Sequence, residues 1–210
     1  MQISELQIDN SVNDRILYLA GDVTTETISE VCKQILAIND IDTKNTNKFR
    51  NYDMQPIQLY IQSYGGSVDS MWSLIDIIES STTPIITYCS GYCMSAAALI
   101  FLAGHIRCMF KHSSIMFHQM TVGTIDKLND FNIEQERFNK MHKKMIKYLK
   151  KHTNLGKKFY KRFDDNKENI YLTPKKCKKF GICDEIIENT DWRETLTKSL
   201  DEDHHVEIES

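Results

Sequence analysis

Between Gly91 and Gly104 the chain carries one serine and then eight apolar residues without a break, Ala96 to Ala103 (AAALIFLA). The run has none of the polar alternation of a half-buried strand, so it reads as a buried helix. Ser95 then falls at or near its N-terminus, where free backbone N–H groups and the positive dipole end favour developing negative charge. Two readings fit that position. The serine caps the helix, as serines often do, or it is a nucleophile placed where negative charge is stabilised. The segments on either side bear on the choice.

Before this run, strand and helix patterns alternate. Arg15 to Leu19 (RILYL) reads as a strand closed by Ala20-Gly21-Asp22. Thr24 or Thr25 then caps a helix whose Ile28, Val31, Cys32, Ile35 and Leu36 recur at three-and-four spacing. Asn39 to Tyr52 is rich in Asn, Asp, Lys and Thr and reads as an exposed loop. Ile57 to Ile61 is a second strand running into a sharp turn at Gln62–Ser67. A helix follows with Val68, Met71, Trp72, Ile75 and Ile78 inward. Pro84 breaks that helix pattern, and Ile85 to Tyr88 is a third strand feeding the turn before Ser95.

After the apolar run come strand-like pieces at Ile106–Phe110 and Ile115–Phe117, the second followed by His118. Lys127 to Lys151 is a long helix with Leu128, Phe131, Phe138, Met141, Met145 and Leu149 on one face. A short helix and a polar loop fill Asn154 to Glu168. Ile170–Leu172 is a small strand, Thr173 caps a helix with Pro174 at its first position, and Gly181 ends it. Ile182 to Ile187 closes the sheet. The alternation implies an α/β fold with a mainly parallel sheet and right-handed crossovers. Residues 1–14 read as an N-terminal arm, 15–192 as one domain without internal repeats, and 193–210 as an acidic C-terminal tail.

A chain of 210 residues is long enough for one domain with a real core. Its net charge of −3 gives no argument for a nucleic-acid partner, and the lysines between Lys140 and Lys179 read as a solvated face. No apolar run reaches membrane-spanning length and no signal-peptide pattern opens the chain, so the reading is a cytoplasmic protein with no membrane partner. Six scattered cysteines without a CxxC pair look like small buried hydrophobes, and the histidines have no ligand spacing, so no metal or other cofactor is expected.

Three segments carry candidate chemistry. In a parallel sheet, sites form where strands end and helices begin. Both the Gly65-Gly66 turn and the Ser95 turn are of that kind. A glycine pair lets backbone approach a ligand, and its N–H groups could hold an oxyanion beside Ser95; it also suits a plain tight turn. His118, at a strand end, is either a hydrogen-bonded structural residue or a base.

Taken in order, Ile57–Val68 (IQLYIQSYGGSV), Gly91–Gly104 around Ser95, Ile115–Gln119 (IMFHQ), and Tyr171–Pro174 with Phe180–Ile187 resemble the proteolytic subunit of the Clp protease (ClpP). The likeness runs from about Arg15 to Ile187. It implies the ClpP/crotonase-like fold, with Lys127–Lys151 as a long protruding handle helix through which two heptameric rings stack into a 14-mer. It implies a serine endopeptidase cleaving peptides or unfolded polypeptides in a chamber fed by a separate AAA+ unfoldase. No GxxxxGK[ST] loop is present here to bind ATP. Ser95 would be the nucleophile, His118 the base, and the N–H groups of Gly66 and Ala96 the oxyanion hole. Thr121 to Ile125 would lie beside extended substrate.

This sequence departs from the family pattern in places. Asn169 stands where the family's third catalytic residue is an aspartate. An asparagine can orient an imidazole but cannot stabilise imidazolium by charge. Asp164, Asp165 and Glu168 lie in the preceding loop, which is about two residues longer than usual. Tyr64 replaces a proline, Ala97 replaces a glycine, the Asn39–Tyr52 loop is long and the N-terminal arm is short. A catalytically weak structural subunit of mixed rings is therefore a second reading. A crotonase-like acyl-CoA enzyme is a third, to which a Ser–His pair contributes nothing.

Overall fold

Five strands lie side by side and run the same way in the order β1–β2–β3–β4–β7: β1 (Ile16–Val23), β2 (Ile57–Gly66), β3 (Ile85–Met94), β4 (Ile106–Phe110) and β7 (Glu185–Ile187). Off this path, β5 (Ser114–Phe117) pairs parallel with β3, and β6 (Ile170–Leu172) pairs antiparallel with β5. The helices are α1 (Thr25–Lys48), α2 (Val68–Glu79), α3 (Ala96–Leu102), α4 (Leu128–His152), α5 (Lys157–Asp165) and α6 (Pro174–Lys179). The computed structural model describes residues 15–119, 128–165 and 169–188. The N-terminal arm, the Thr121–Ile125 segment and the C-terminal tail lie outside them.

Strand alternation sorts the sheet's two faces. Leu17 and Leu19 of β1 and Ile57, Leu59 and Ile61 of β2 point into the core beneath α1, α2 and α3. The opposite face carries a tyrosine ladder. Tyr18 stacks on Tyr60 at 5.5 Å between ring centroids, and Tyr60 on Tyr88 at 4.6 Å. The apolar run forms α3, whose seven residues are all buried; it packs on β2, β3 and α2.

The structure corrects the sequence reading in four places. Asn39 to Lys48 is not a loop but the second half of α1, which runs unbroken to Lys48. Its buried stripe of Ile28, Val31, Ile35 and Ile38 continues into Asp42, a fully buried carboxylate that hides the stripe from a hydrophobicity reading. Arg15 Nη2 meets Asp42 Oδ1 at 2.5 Å and Nη1 meets Oδ2 at 2.9 Å, while Tyr52 and Thr83 hydroxyls donate to the same carboxylate. These partners satisfy the buried charge.

Second, Ala20–Asp22, Gln62–Gly66 and Gly91–Met94 are strand rather than turn. In each the ladder slips at an irregularity and then resumes, pairing Asp22 with Gly65 and Ser63 with Cys93. Third, Thr173 occupies the N-cap position of α6 without a side-chain cap bond. Fourth, the last strand is shorter than Ile182–Ile187, because Arg107 holds the preceding residues. Its guanidinium meets Asp184 at 2.6 and 2.9 Å and donates to the Gly181 and His152 carbonyls at 3.1 Å, tying β4 to the ends of α4 and α6.

Candidate active site

Strand β3 changes partner half-way. Ile86–Cys89 pair with β4, and past Gly91 (φ +82°) Tyr92–Met94 pair with β5. Met94 lies opposite Met116, so the residue after β3 and the residue after β5 emerge together at the carboxyl ends of parallel strands. Those residues are Ser95 and His118. Ser95 N–H donates to Met116 O at 2.8 Å, fixing the register.

Ser95 has φ +54° and ψ −122°, and among the described residues it alone is a non-glycine with positive φ. It sits at the N-cap position of α3 but makes no capping bond. Its Oγ lies instead 2.7 Å from His118 Nε2. The sequence left open whether Ser95 caps α3, and its side chain is committed elsewhere. A non-glycine at such angles is strained and is held by its surroundings.

Gly65 packs directly behind this corner. A Cβ built there would lie 2.7 Å from Met94 O and 2.9 Å from Ser95 Cβ, so only glycine lets β2 approach so closely. Gly66 and Ala96 both line the cleft that opens over Ser95 and His118, which has a volume of about 900 Å³. Ala96 is the first residue of α3, and among the described residues its N–H has no hydrogen-bond partner. Phe138, Met141 and Met145 of α4 form the apolar side of the same cleft, and Arg137 of α4 is ion-paired with Asp69 of α2 across it. The sequence presented those apolar residues only as a helix stripe. Their i, i+3, i+7 spacing matched a core face, and nothing in it separates a core face from a cleft wall.

Asn169 is placed differently. Phe117 pairs with Ile170 across the antiparallel β5–β6 ladder, so Asn169 stands one step further, alongside His118. Its side chain is exposed, it does not line the cleft, and among the described residues no hydrogen bond joins it to His118. Asp164 and Asp165 belong to the last turn of α5, and Glu168 lies outside the described residues.

Burial pushes the His118 pKa below the usual imidazole range. That direction favours the neutral ring, and among the described residues no carboxylate opposes it. Three other histidines are engaged in the scaffold. His105 Nδ1 accepts from Ile85 N–H at 3.0 Å, His142 stacks on Phe163, and His152 stacks on Tyr148 within 3.4 Å of Glu79. The cysteines are buried apart from half-buried Cys32. Among the described residues no cluster of three or more His, Cys, Asp or Glu could hold a metal ion, and no helix is long and apolar enough to cross a membrane.

The profile of the Clp protease family matches residues 4–190. The chain belongs to the Clp protease family. It is 28% identical over 191 residues to ATP-dependent Clp protease proteolytic subunit 2 of Corynebacterium diphtheriae, covering 90% of each chain. It is 25% identical over 181 residues to the ATP-dependent Clp protease proteolytic subunit of Deinococcus radiodurans, covering 85% and 83%. A solved structure of an asparagine-to-aspartate mutant of ClpP1 from Listeria monocytogenes superposes with a TM-score of 0.69 at 23% identity, over 85% of this chain and 94% of that one. That likeness supports the α/β ClpP fold read from the sequence, with its parallel sheet and its long helix now placed at Leu128–His152.

Proposed function

We propose that this Clp protease family member is a serine endopeptidase in which Ser95 attacks the peptide carbonyl and His118 takes its proton. The observation that carries the reading is the 2.7 Å approach of His118 Nε2 to Ser95 Oγ inside an open cleft. Neutral His118 accepts the Oγ proton as the Oγ–C bond forms. The developing oxyanion is held by the N–H groups of Ala96 and Gly66; losing one such donor typically costs about 100- to 1,000-fold in rate. Imidazolium then gives its proton to the leaving amine. A water attacks the acyl-Ser95 ester, with His118 again as base.

His118 must carry its resting proton on Nδ1 for this to work. In our reading Asn169, beside it, supplies the acceptor through its amide oxygen. The opposite amide orientation would donate to Nδ1 and favour the wrong tautomer. Substrate is an extended polypeptide lying against Phe138 and Met141. Copies assemble into stacked heptameric rings, supplied by a separate ATP-driven unfoldase, in the cytoplasm.

The second reading, a catalytically weak subunit of mixed rings, is favoured by one observation: among the described residues His118 Nδ1 has no hydrogen-bond partner. A fluorophosphonate probe separates the two. The peptidase reading expects labelling of the wild type at Ser95 and none of Ser95→Ala. A folded wild-type chain that does not label leaves the structural-subunit reading standing.

A further inference from the structure

Charge is distributed very unevenly along this chain. Between Lys140 and Lys179 lie 15 of its 26 lysines and arginines but only three of its 29 acidic residues. That segment has a net charge of +12 and the remainder of the chain −15. Four of these cations, Lys158, Arg162, Lys176 and Lys179, line one groove of about 440 Å³ between α5, β6 and α6. Phe159, Leu172 and Phe180 give the groove an apolar lining, and Lys158, Lys176 and Lys179 stand on its rim. The three lysines are exposed, and among the described residues none is in an ion pair, unlike neighbouring Lys178, which meets Glu185 at 3.1 Å.

A groove with apolar walls and a cationic rim fits a strand-like segment that alternates apolar and acidic residues. The chain supplies one. Residues 201–210 hold five acidic residues and no lysine or arginine, and within them Val206-Glu207-Ile208-Glu209 alternates with a period of two. We propose that this groove is the docking site for the chain's own acidic C-terminal segment, with Val206 and Ile208 against the aromatic walls and Glu207 and Glu209 facing the lysines. The 17 residues from 189 to 205 span up to about 55–60 Å when extended, so the segment reaches the groove of its own copy or of a neighbour. Ile170 and Leu172 of β6 line the groove, so a seated segment braces the strand that follows Asn169.

Zero-length carbodiimide coupling of the full-length chain tests this, because it joins carboxylates only to amines in contact. The expected links run from Glu207 or Glu209 to Lys158, Lys176 and Lys179. Raising salt from about 50 mM to about 500 mM lowers them several-fold, as partly exposed charge pairs require. The double variant Lys176→Glu with Lys179→Glu lowers the Lys158 link at least tenfold although the Lys158 amine is untouched. Mixing isotope-labelled and unlabelled copies tells docking in cis from docking in trans. Links spread equally over distant lysines such as Lys33 and Lys44 overturn the proposal. So do an absence of tail links, a Lys158 link indifferent to salt and charge reversal, or binding of a nucleic acid or an acidic partner protein that leaves the tail unlinked.

Discussion

Replacing Asn169 by aspartate probes the weakest part of the proposed site. Opposed residues in an antiparallel ladder have Cβ atoms about 5 Å apart, and Asn169 lies one step beyond the Phe117–Ile170 pair, alongside His118. A carboxylate about 5 Å from an imidazolium, at an effective dielectric of about 20, is worth about 3 kcal/mol. Asn169 is exposed, and solvent screening leaves about 1 kcal/mol of this or less, under one pKa unit. The charge favours protonated His118, so the pKa moves up from its burial-depressed position.

The expected result has two parts, read from kcat/KM for a fluorogenic peptide between pH 5 and 9. Activity needs neutral His118, so it is lost as pH falls through the His118 pKa. In the wild type that loss comes below the usual imidazole range, and in Asn169→Asp it comes at higher pH. The plateau rises at least tenfold, because a carboxylate only accepts from Nδ1–H and removes the wrong tautomer. The reverse change in a serine triad can cost about ten-thousand-fold. An unmoved acidic limb together with an unchanged plateau refutes the placement of Asn169 as the orienting residue.

Two further outcomes bear on the scaffold and the assembly. Asp42→Ala removes a carboxylate that Arg15 holds well below the usual range, taking the counter-charge from a guanidinium whose side chain is 20% exposed. Urea unfolding should show a loss of about 3–5 kcal/mol. Because the folded pKa is depressed, this stabilisation is present above about pH 4 and fades as pH falls further, so the variant should lack that acid-dependent loss. Sedimentation of the 24.5 kDa chain should show a species of about 340 kDa, as two stacked heptamers require, and a monomer at micromolar concentration would refute the compartment.

Much of the fold is legible in the sequence. The βα alternation and the apolar run set the fold, and the order of the four motifs singled out Ser95 and His118. Two things stayed hidden, each for a physical reason. The second half of α1 was lost because its inward stripe ends in Asp42, and a buried salt-bridged carboxylate looks like solvent-exposed polarity until Arg15, Tyr52 and Thr83 are seen around it. The strand extensions past Gly21, Ile61 and Gly91 look like turns in sequence because glycine and polar residues punctuate both turns and bulges. Only the neighbouring strand distinguishes them. The partner change of β3 is a non-local event, and it is what sets Ser95 beside His118.

That partner change also explains why Ser95 can be held at φ +54°. Strand β5 fixes its N–H through Met116 O, and Ala98 N–H donates to its carbonyl at 3.1 Å, so the first turn of buried α3 and the end of β5 grip the residue from both sides. A non-glycine residue in such a region stores about 1–3 kcal/mol of strain, and the strain serves only to aim Oγ at His118. Ser95→Gly and Ser95→Ala both delete the hydroxyl, but only glycine relaxes the backbone. Glycine's greater freedom in the unfolded chain takes back about 0.4–1 kcal/mol, leaving Ser95→Gly about 1 kcal/mol more stable than Ser95→Ala. For a chain of this size that is about 2–4 °C in Tm, readable by calorimetry on two equally inactive proteins. If Ser95→Gly melts at or below Ser95→Ala, the corner is not strained, and its geometry must come from local sequence rather than from the grip of β5 and α3.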